Sequence, residues 1–381
     1  MNKSKKLLAV GTIAALGLAA CGSDDEPAAE APTTDAPSTD TEAPAEPSDG
    51  GAVKTCLVTG LAGVDDQSFN ASAWQGVQDA VAAGDATEDS FFLESGEASQ
   101  YQANVDQMVD QGCEHIVTVG FDLGEVTATN ATANPDINWT MIDNVLSDPD
   151  TFAPLGLPNV RELVYQTDEA AFAAGYLAAG VSQTGVLCTY GGANFPTVAI
   201  FMDGFTRGAQ HYNEVKGGDV TVLGWDVEAQ DGTFTGSFTD MGLARSQADS
   251  LFQENCDMII PVGGAINLPA GDAINDLGIE AALIGVDSDA FFAMDQQYSS
   301  LWLTTVEKKI ADFVAQSIDE DSDESWTAGP FVGNLANGGV GLAPYHDWDD
   351  RVSEELRSVV DQLLTDIAAG DIKADFVAVG Y

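Results

Sequence analysis

The chain has 381 residues, 45% of them hydrophobic, and carries 61 acidic against 13 basic side chains, for a formal net charge of −48. That length suits more than one domain, and that apolar content is enough for a proper core. The scarcity of Lys and Arg excludes a protein that neutralises nucleic-acid phosphates.

The chain opens on Lys3, Lys5 and Lys6, followed by an apolar stretch over residues 7–18. This stretch is too short to span a bilayer core of about 30 Å as a helix, so residues 1–20 read as a secretory signal. Leu18-Ala19-Ala20-Cys21-Gly22 resembles the lipobox of bacterial lipoproteins, which implies cleavage before Cys21 and a diacylglyceryl thioether on its thiol. An ordinary signal peptide with an incidental cysteine is the competing reading. Residues 21–52 then form an acidic tether rich in Pro, Ala and Thr. Beyond Cys21 it lacks apolar side chains larger than Ala, so nothing offsets the entropy cost of ordering it. Three bases precede the tether and nine acids lie within it, so the body still sets 52 acids against ten bases. A surface of that kind mainly confers solubility. No later segment has the length and purity of a membrane-spanning helix.

From residue 53 onward, strands and helices alternate, twice over. In the first half, residues 55–59 predict a strand. Ala73, Trp74, Val77, Ala80 and Val81 recur at helical spacing. A strand follows at 91–93, then a helix marked by Val105, Met108 and Val109 that Gly112 can close in the left-handed conformation. Further strands are expected at 115–119, 140–142 and 162–165. The second half repeats the pattern with a helix over 170–179 and a strand over 185–190. Next come a helix lined by Ile200, Phe201, Phe205, Ala209 and Tyr212, and a strand over 220–227. A helix carrying Ala244, Ala248, Leu251 and Phe252 leads to strands over 257–262 and 281–286. The strands are apolar on both faces, as in parallel sheets covered by helices on both sides. The expected fold class is therefore α/β, two doubly wound parallel-sheet lobes, with ligands bound at the carboxyl ends of the strands.

That topology also bears on the cysteines. In a 2-1-3-4-5 sheet the first and third strands are neighbours. Cys56 and Cys113 open those strands in the first lobe, and Cys188 and Cys256 hold similar places in the second. Two disulfides, Cys56–Cys113 and Cys188–Cys256, are expected in an exported protein; four buried thiols are the alternative.

The segment between the first strand and the first helix carries most of the functional signal. It runs Asp65-Asp66-Gln67-Ser68-Phe69-Asn70-Ala71-Ser72-Ala73-Trp74-Gln75-Gly76. Gly60 and Gly63 permit a tight turn ahead of it, and Ser68, Asn70 and Ser72 are each plausible N-caps. Phe69, among polar neighbours, can stack on a flat ligand or simply staple the helix start. This segment resembles the basic membrane protein family of lipoproteins, the purine-nucleoside receptors of ABC importers. The resemblance continues through Val119-Gly120-Phe121, Ile142-Asp143, Gly191-Gly192, Ser237-Phe238-Thr239-Asp240, Gly285-Val286-Asp287-Ser288-Asp289 and the run from Asn337 to Pro344, in order over the whole body.

The resemblance implies a type I periplasmic-binding-protein fold joined by a hinge. The lobes fall at 53–166 plus 307–328 and at 167–306 plus 329–381. It implies a nucleoside base held between aromatic rings and ribose hydroxyls gripped by charged side chains. Phe69 matches the first ring, with Asp66 and Asn70 beside it in the motif. Phe238 is the first candidate for the opposing ring and Phe195 the second. Asp287 matches a carboxylate accepting from sugar hydroxyls, with loop capping as the alternative. Lys308 matches the family's lysine at the hinge, with a solvated helix-start lysine as the alternative. One departure is visible: the family commonly has Asp where this chain has Gly60, and Asp143 and Glu125 are other cleft-side acids that could substitute.

The implied protein is an extracytoplasmic, lipid-anchored receptor, monomeric, partnered by a small-molecule ligand and an ABC permease. It touches the membrane only through its lipid and needs no cofactor or metal. Receptors for a sugar or a signalling molecule, or a secreted enzyme acting on nucleosides, are the alternatives. Against an enzyme, the chain has no GxSxG, P-loop or HExxH motif, and His115, His211 and His346 stand apart from one another.

Overall fold

The computed structural model describes residues 51–374. The signal, Cys21 and all but the last two residues of the tether lie outside them, as do residues 375–381. The first lobe contains β1 (Thr55–Val58), α1 (Phe69–Ala83), β2 (Phe91–Leu93), α2 (Tyr101–Asp110), β3 (His115–Val119), α3 (Gly124–Ala133), β4 (Asn138–Ile142) and β5 (Val160–Tyr165). The chain then crosses into α4 (Thr167–Val181), β6 (Val186–Gly191), α5 (Pro196–Lys216), β7 (Thr221–Leu223), β8 (Trp225–Asp226), β9 (Asp231–Gly232), α6 (Met241–Gln253), β10 (Met258–Val262), α7 (Leu268–Leu277), β11 (Ala282–Asp287), α8 (Ala290–Ala293) and β12 (Trp302–Lys308). It returns through α9 (Ile310–Ser322) and β13 (Gly329–Gly333), and ends in β14 (Val340–Leu342) and α10 (Glu354–Ala368).

Two six-stranded sheets result, ordered β2-β1-β3-β4-β5-β13 and β7-β6-β10-β11-β12-β14. The expected 2-1-3-4-5 order is present in both lobes. Central strands such as β1, β3, β10 and β11 are buried along their whole length, as sheets covered on both faces require. Helix α4 is apolar almost all round and buried almost throughout, the pattern of a helix enclosed by its neighbours.

The structure departs from the expected elements in three places. The strand expected over 220–227 breaks at Gly224, whose φ is +94°. A Cβ there would lie 1.9 Å from the Thr189 carbonyl oxygen, so the chain turns out of the sheet and β8 pairs with β9 instead. The second sheet is not wholly parallel, because β14 runs antiparallel to β12. Finally, β13, expected in the second lobe, pairs with β5 in the first sheet.

Three chain crossings connect the lobes, after β5, β12 and β13. They are bonded to one another: the Gln166 amide donates to the Gly333 carbonyl at 2.8 Å and the Lys309 amide to the Gly339 carbonyl at 3.0 Å. A Cβ on Gly339 would sit 2.3 Å from the Gly333 Cα. Only glycine lets these strands run so close.

Both disulfides form as the strand order implied. Cys56–Cys113 has a Cα–Cα distance of 5.9 Å and Cys188–Cys256 one of 6.0 Å, within the range that unstrained bridges occupy. Among the described residues, no helix is long and apolar enough to cross a membrane.

Candidate functional site

The carboxyl ends of both sheets face one cavity. All eight of Asp66, Phe69, Asn70, Asp143, Phe195, Phe238, Asp287 and Lys308 line it. Glu125 does not; it is exposed on α3.

The site begins with a polar brace at the start of α1. The Asp66 carboxylate accepts from the Ser68 and Ala71 amides at 3.0 Å each and from the Asn70 amide at 2.8 Å. It also accepts from Asn70 Nδ2 at 2.9 Å, and the Asn70 Oδ1 in turn accepts from the Gly60 amide at 2.9 Å. A carboxylate on the free amides of a helix start satisfies donors that the helix leaves unpaired and meets the positive end of its dipole. Asp66 is thus the cap, a role expected of Ser68, Asn70 or Ser72. The serines are used across the cleft: Ser68 Oγ donates to the Val286 carbonyl and to Asp287 Oδ2, both at 3.0 Å, and Ser72 Oγ lies 2.5 Å from Ser288 Oγ. The brace fixes Phe69, the first residue of α1, with its ring toward the cavity.

Charge collects at the hinge side. Lys308, the last residue of β12, places Nζ 2.6 Å from Asp143 Oδ2 and 3.7 Å from Asp287 Oδ1. The same ammonium lies 5.1, 5.2 and 5.6 Å from the ring centroids of Phe69, Phe201 and Tyr165. Lys308 is only 5% exposed, and both carboxylates are buried with it. The two aspartates end equivalent strands, the fourth of each sheet, and both adopt left-handed backbone, with φ of +63° and +68°. That conformation costs a non-glycine residue energy and concentrates at functional sites. Burial pushes both carboxyls up, against the pull of Lys308; Asp287, with Asp143 adding repulsion, is pushed to about 6.

The opposite side is aromatic. Phe121, in the turn after β3, stands 5.4 Å from Phe195 of the other lobe, and Phe195 stands 6.0 Å from Phe238. Phe238 packs on glycine backbone: a Cβ on Gly192 would meet its ring at 2.3 Å and one on Gly263 at 2.9 Å. Both candidate rings, Phe195 and Phe238, are therefore present together. Phe121 extends this aromatic wall, and Phe201 lines the cavity beside Lys308; neither is among the residues expected from the sequence. Phe121 was visible as the residue after a strand-ending Val-Gly, the same signal as Val262-Gly263 in the second lobe.

A cavity between two lobes that sets aromatic rings beside buried charge is built to hold a solute. The comparisons with known proteins agree. Residues 54–374 match the Bmp family, described as ABC transporter substrate-binding protein PnrA-like. The chain belongs to this family. It is 27% identical to the ABC transporter nucleoside-binding protein BmpA of Lactococcus lactis subsp. cremoris over 334 residues, which cover 84% of this chain and 88% of that one. It is 26% identical to basic membrane protein A of Borreliella burgdorferi over 311 residues, 81% and 84% of the two chains. Its fold is similar to that of an ABC transporter solute-binding protein from Aeropyrum pernix K1, with a TM-score of 0.73 at 20% identity, covering 84% and 92% of the two chains. A solute-binding protein from Conexibacter woesei gives a TM-score of 0.63 at 20% identity, with 84% and 98% covered. As a member of the Bmp family the chain is a substrate-binding protein of an ABC transporter, not an enzyme. Such proteins work outside the cytoplasm, binding small molecules and delivering them to a permease.

Proposed function

We propose that this Bmp-family protein captures nucleosides for an ABC importer, as a monomeric lipoprotein tethered through Cys21. The observation that carries the reading is the polarity of the cavity. Phe69, Phe195 and Phe238 offer flat apolar faces to a base, and Asp143, Asp287 and Lys308 offer acceptors and donors to a polyol. Aromatic stacking contributes about 0.5–1.5 kcal/mol beyond area burial. A carboxylate can accept from two vicinal hydroxyls at once. The Lactococcus relative, whose name states nucleoside binding, supports the same ligand class. Residues 22–52, acidic and without bulky apolar side chains, suit a spacer between an acylated Cys21 and the body.

Mass spectrometry of small molecules released by denaturing the protein, followed by calorimetric titration of nucleosides and their free bases, tests the ligand class. A nucleoside in the released fraction and tighter binding of nucleosides than of bases are expected. Recovery of a sugar, with no heat from any nucleoside, would refute the reading. The anchor is tested separately: Cys21→Ser should move the protein from the membrane fraction to the soluble one.

A further inference from the structure

A single carboxylate stands at the aromatic end of the cavity. Asp122 follows Phe121 in the turn after β3 and lines the cavity beside Leu61 and Phe69. Its Oδ2 accepts from the Tyr101 hydroxyl at 2.6 Å, and Tyr101 is itself buried at the start of α2. Among the described residues nothing donates to its Oδ1. That oxygen is turned toward bare backbone: the point a Cβ would occupy on Gly120 lies 3.4 Å from Asp122 Oδ1, 3.9 Å from Phe69 Cε1 and 4.0 Å from the Gly60 Cα. The missing side chain of Gly120 thus leaves that carboxylate oxygen uncovered near the edge of the Phe69 ring. Of the other acids of the cavity, Asp66 is bonded to the α1 amides, and Asp143 and Asp287 flank Lys308 at the hinge side.

We infer that Asp122 selects the ligand's ring, accepting an N–H from the rim of a heterocycle stacked on Phe69. An ionised carboxylate can only accept. A base with an amino or lactam N–H at that rim gains a charge-assisted bond; a base with only ring nitrogens there meets lone pairs with negative charge. Tyr101 is the positioning residue, holding Oδ2 so that Oδ1 faces the cavity. The selection resides in Asp122 because Gly60, at the end of β1, has no side chain to offer, and its amide is already used by Asn70. This inference rests on the nucleoside reading and narrows it to nucleosides whose base carries a donor on the edge remote from the sugar.

Calorimetric titration of the full chain with guanosine and with purine riboside, whose base bears no N–H donor, provides the test. The parent should bind guanosine at least tenfold more tightly. Asp122→Asn should collapse that ratio by at least tenfold, because Tyr101 retains the amide oxygen and the amide nitrogen then faces the cavity. Tyr101→Phe should narrow the ratio by less while purine riboside affinity stays within about threefold of the parent. Equal binding of both nucleosides by the parent, or an equal loss for both in Asp122→Asn, would overturn the assignment of Asp122 alone. A parent that binds neither purine nucleoside would overturn this inference, and no heat from any nucleoside would overturn the nucleoside reading as well.

Discussion

In the first lobe, the aromatic residue that opens the first helix, Phe69, is held by a carboxylate and an amide: Asp66 and Asn70 tie the loop to the helix amides and to Gly60. In the second lobe the equivalent residue, Phe195, precedes a proline at the first position of α5, and no side chain caps that helix. There the loop is shaped by Gly191 and Gly192, which leave room for Val198, Phe234 and Phe238 to pack on backbone. The same topological position is made rigid once by hydrogen bonds and once by conformational restriction and close packing. The fourth strands differ in a similar way. Asp143 and Asp287 end them with like backbone, but Lys308 makes its short contact with the first-lobe aspartate and a longer one with its own. The short ion pair therefore spans the lobes, and the hydroxyl of Ser68 reaches back to Asp287 in the other direction.

The largest effect should come from removing the shared cation. Lys308→Met leaves two buried carboxylates unpaired and should destabilise the unliganded protein by about 3–5 kcal/mol at neutral pH. The loss should shrink below about pH 5, as those carboxyls take up protons. Urea melts at pH 7.5 and 4.5 check this, and a pH-independent loss would show that the lysine acts by packing alone.

The two aspartates should then separate. The Asp287 carboxyl sits near 6 when folded, above its ordinary value of 3.8. The folded state therefore holds a proton that the unfolded state has released between those values, so stability from this group declines as pH rises from about 4 to about 6. The change is on the order of 3 kcal/mol. Asp287→Asn should flatten that slope and gain stability relative to the parent above pH 6. Asp143, which burial also raises, should respond in the same direction, but Asp143→Asn should gain less than Asp287→Asn because it gives up the 2.6 Å contact with Lys308. Thermal melts across pH 4–8 for both variants make the comparison; equal gains from the two would dissolve it.

The helix starts should differ next. Asp66→Ala strips buried amides of their acceptor and should cost about 2–3 kcal/mol. Pro196→Ala relaxes only the unfolded chain's restriction and should cost less than about 1 kcal/mol. Equal costs in denaturant titrations would mean that the brace is not what holds the first lobe's loop. The smallest contrast concerns the rings. Phe69→Ala should weaken nucleoside binding by ten- to a hundredfold, through lost stacking and buried area. Phe195→Ala should weaken it less, because Phe238 remains beside it. Titration calorimetry on the two variants orders them.

Much of this was legible in the residues. The alternation of apolar strands and periodic helices placed β1, β3, β10 and β11, and strand order followed from the doubly wound pattern closely enough to pair Cys56 with Cys113 and Cys188 with Cys256. The segment around Phe69 marked the cleft. Less legible was what each polar residue there does. Asp66 and Asn70 line the cavity as the motif implies, and the Asp66 carboxylate and both polar groups of Asn70 also bond the loop and the helix. Ser68 and Ser72 looked like caps and instead bridge the lobes. Glu125, an acid the motif leaves open, is exposed on α3, whereas Asp122, three residues earlier, lines the cavity. A residue's type limits which bonds it can make, but the choice among partners depends on which way the turn after each strand points, and that is set by contacts outside the segment.

Hydrophobic period, turn residues and charge are properties of neighbouring positions, so the sequence by itself determined the two-lobed α/β class, the acidic surface and the strand ends from which a site would be built. Tertiary structure alone decided the rest. It set Lys308 between Asp143 and Asp287, 165 positions away in the first case, and Phe121 against Phe195. It brought Tyr101 to Asp122 across 21 positions and moved β13 into the first sheet. The contacts of Lys308 with Asp143 and of Phe121 with Phe195 depend on three chain crossings, packed through Gly333 and Gly339, that bring the carboxyl ends of two separate sheets to face each other. No local pattern encodes that approach, because its favourable energy comes from surfaces that meet only after both lobes have formed.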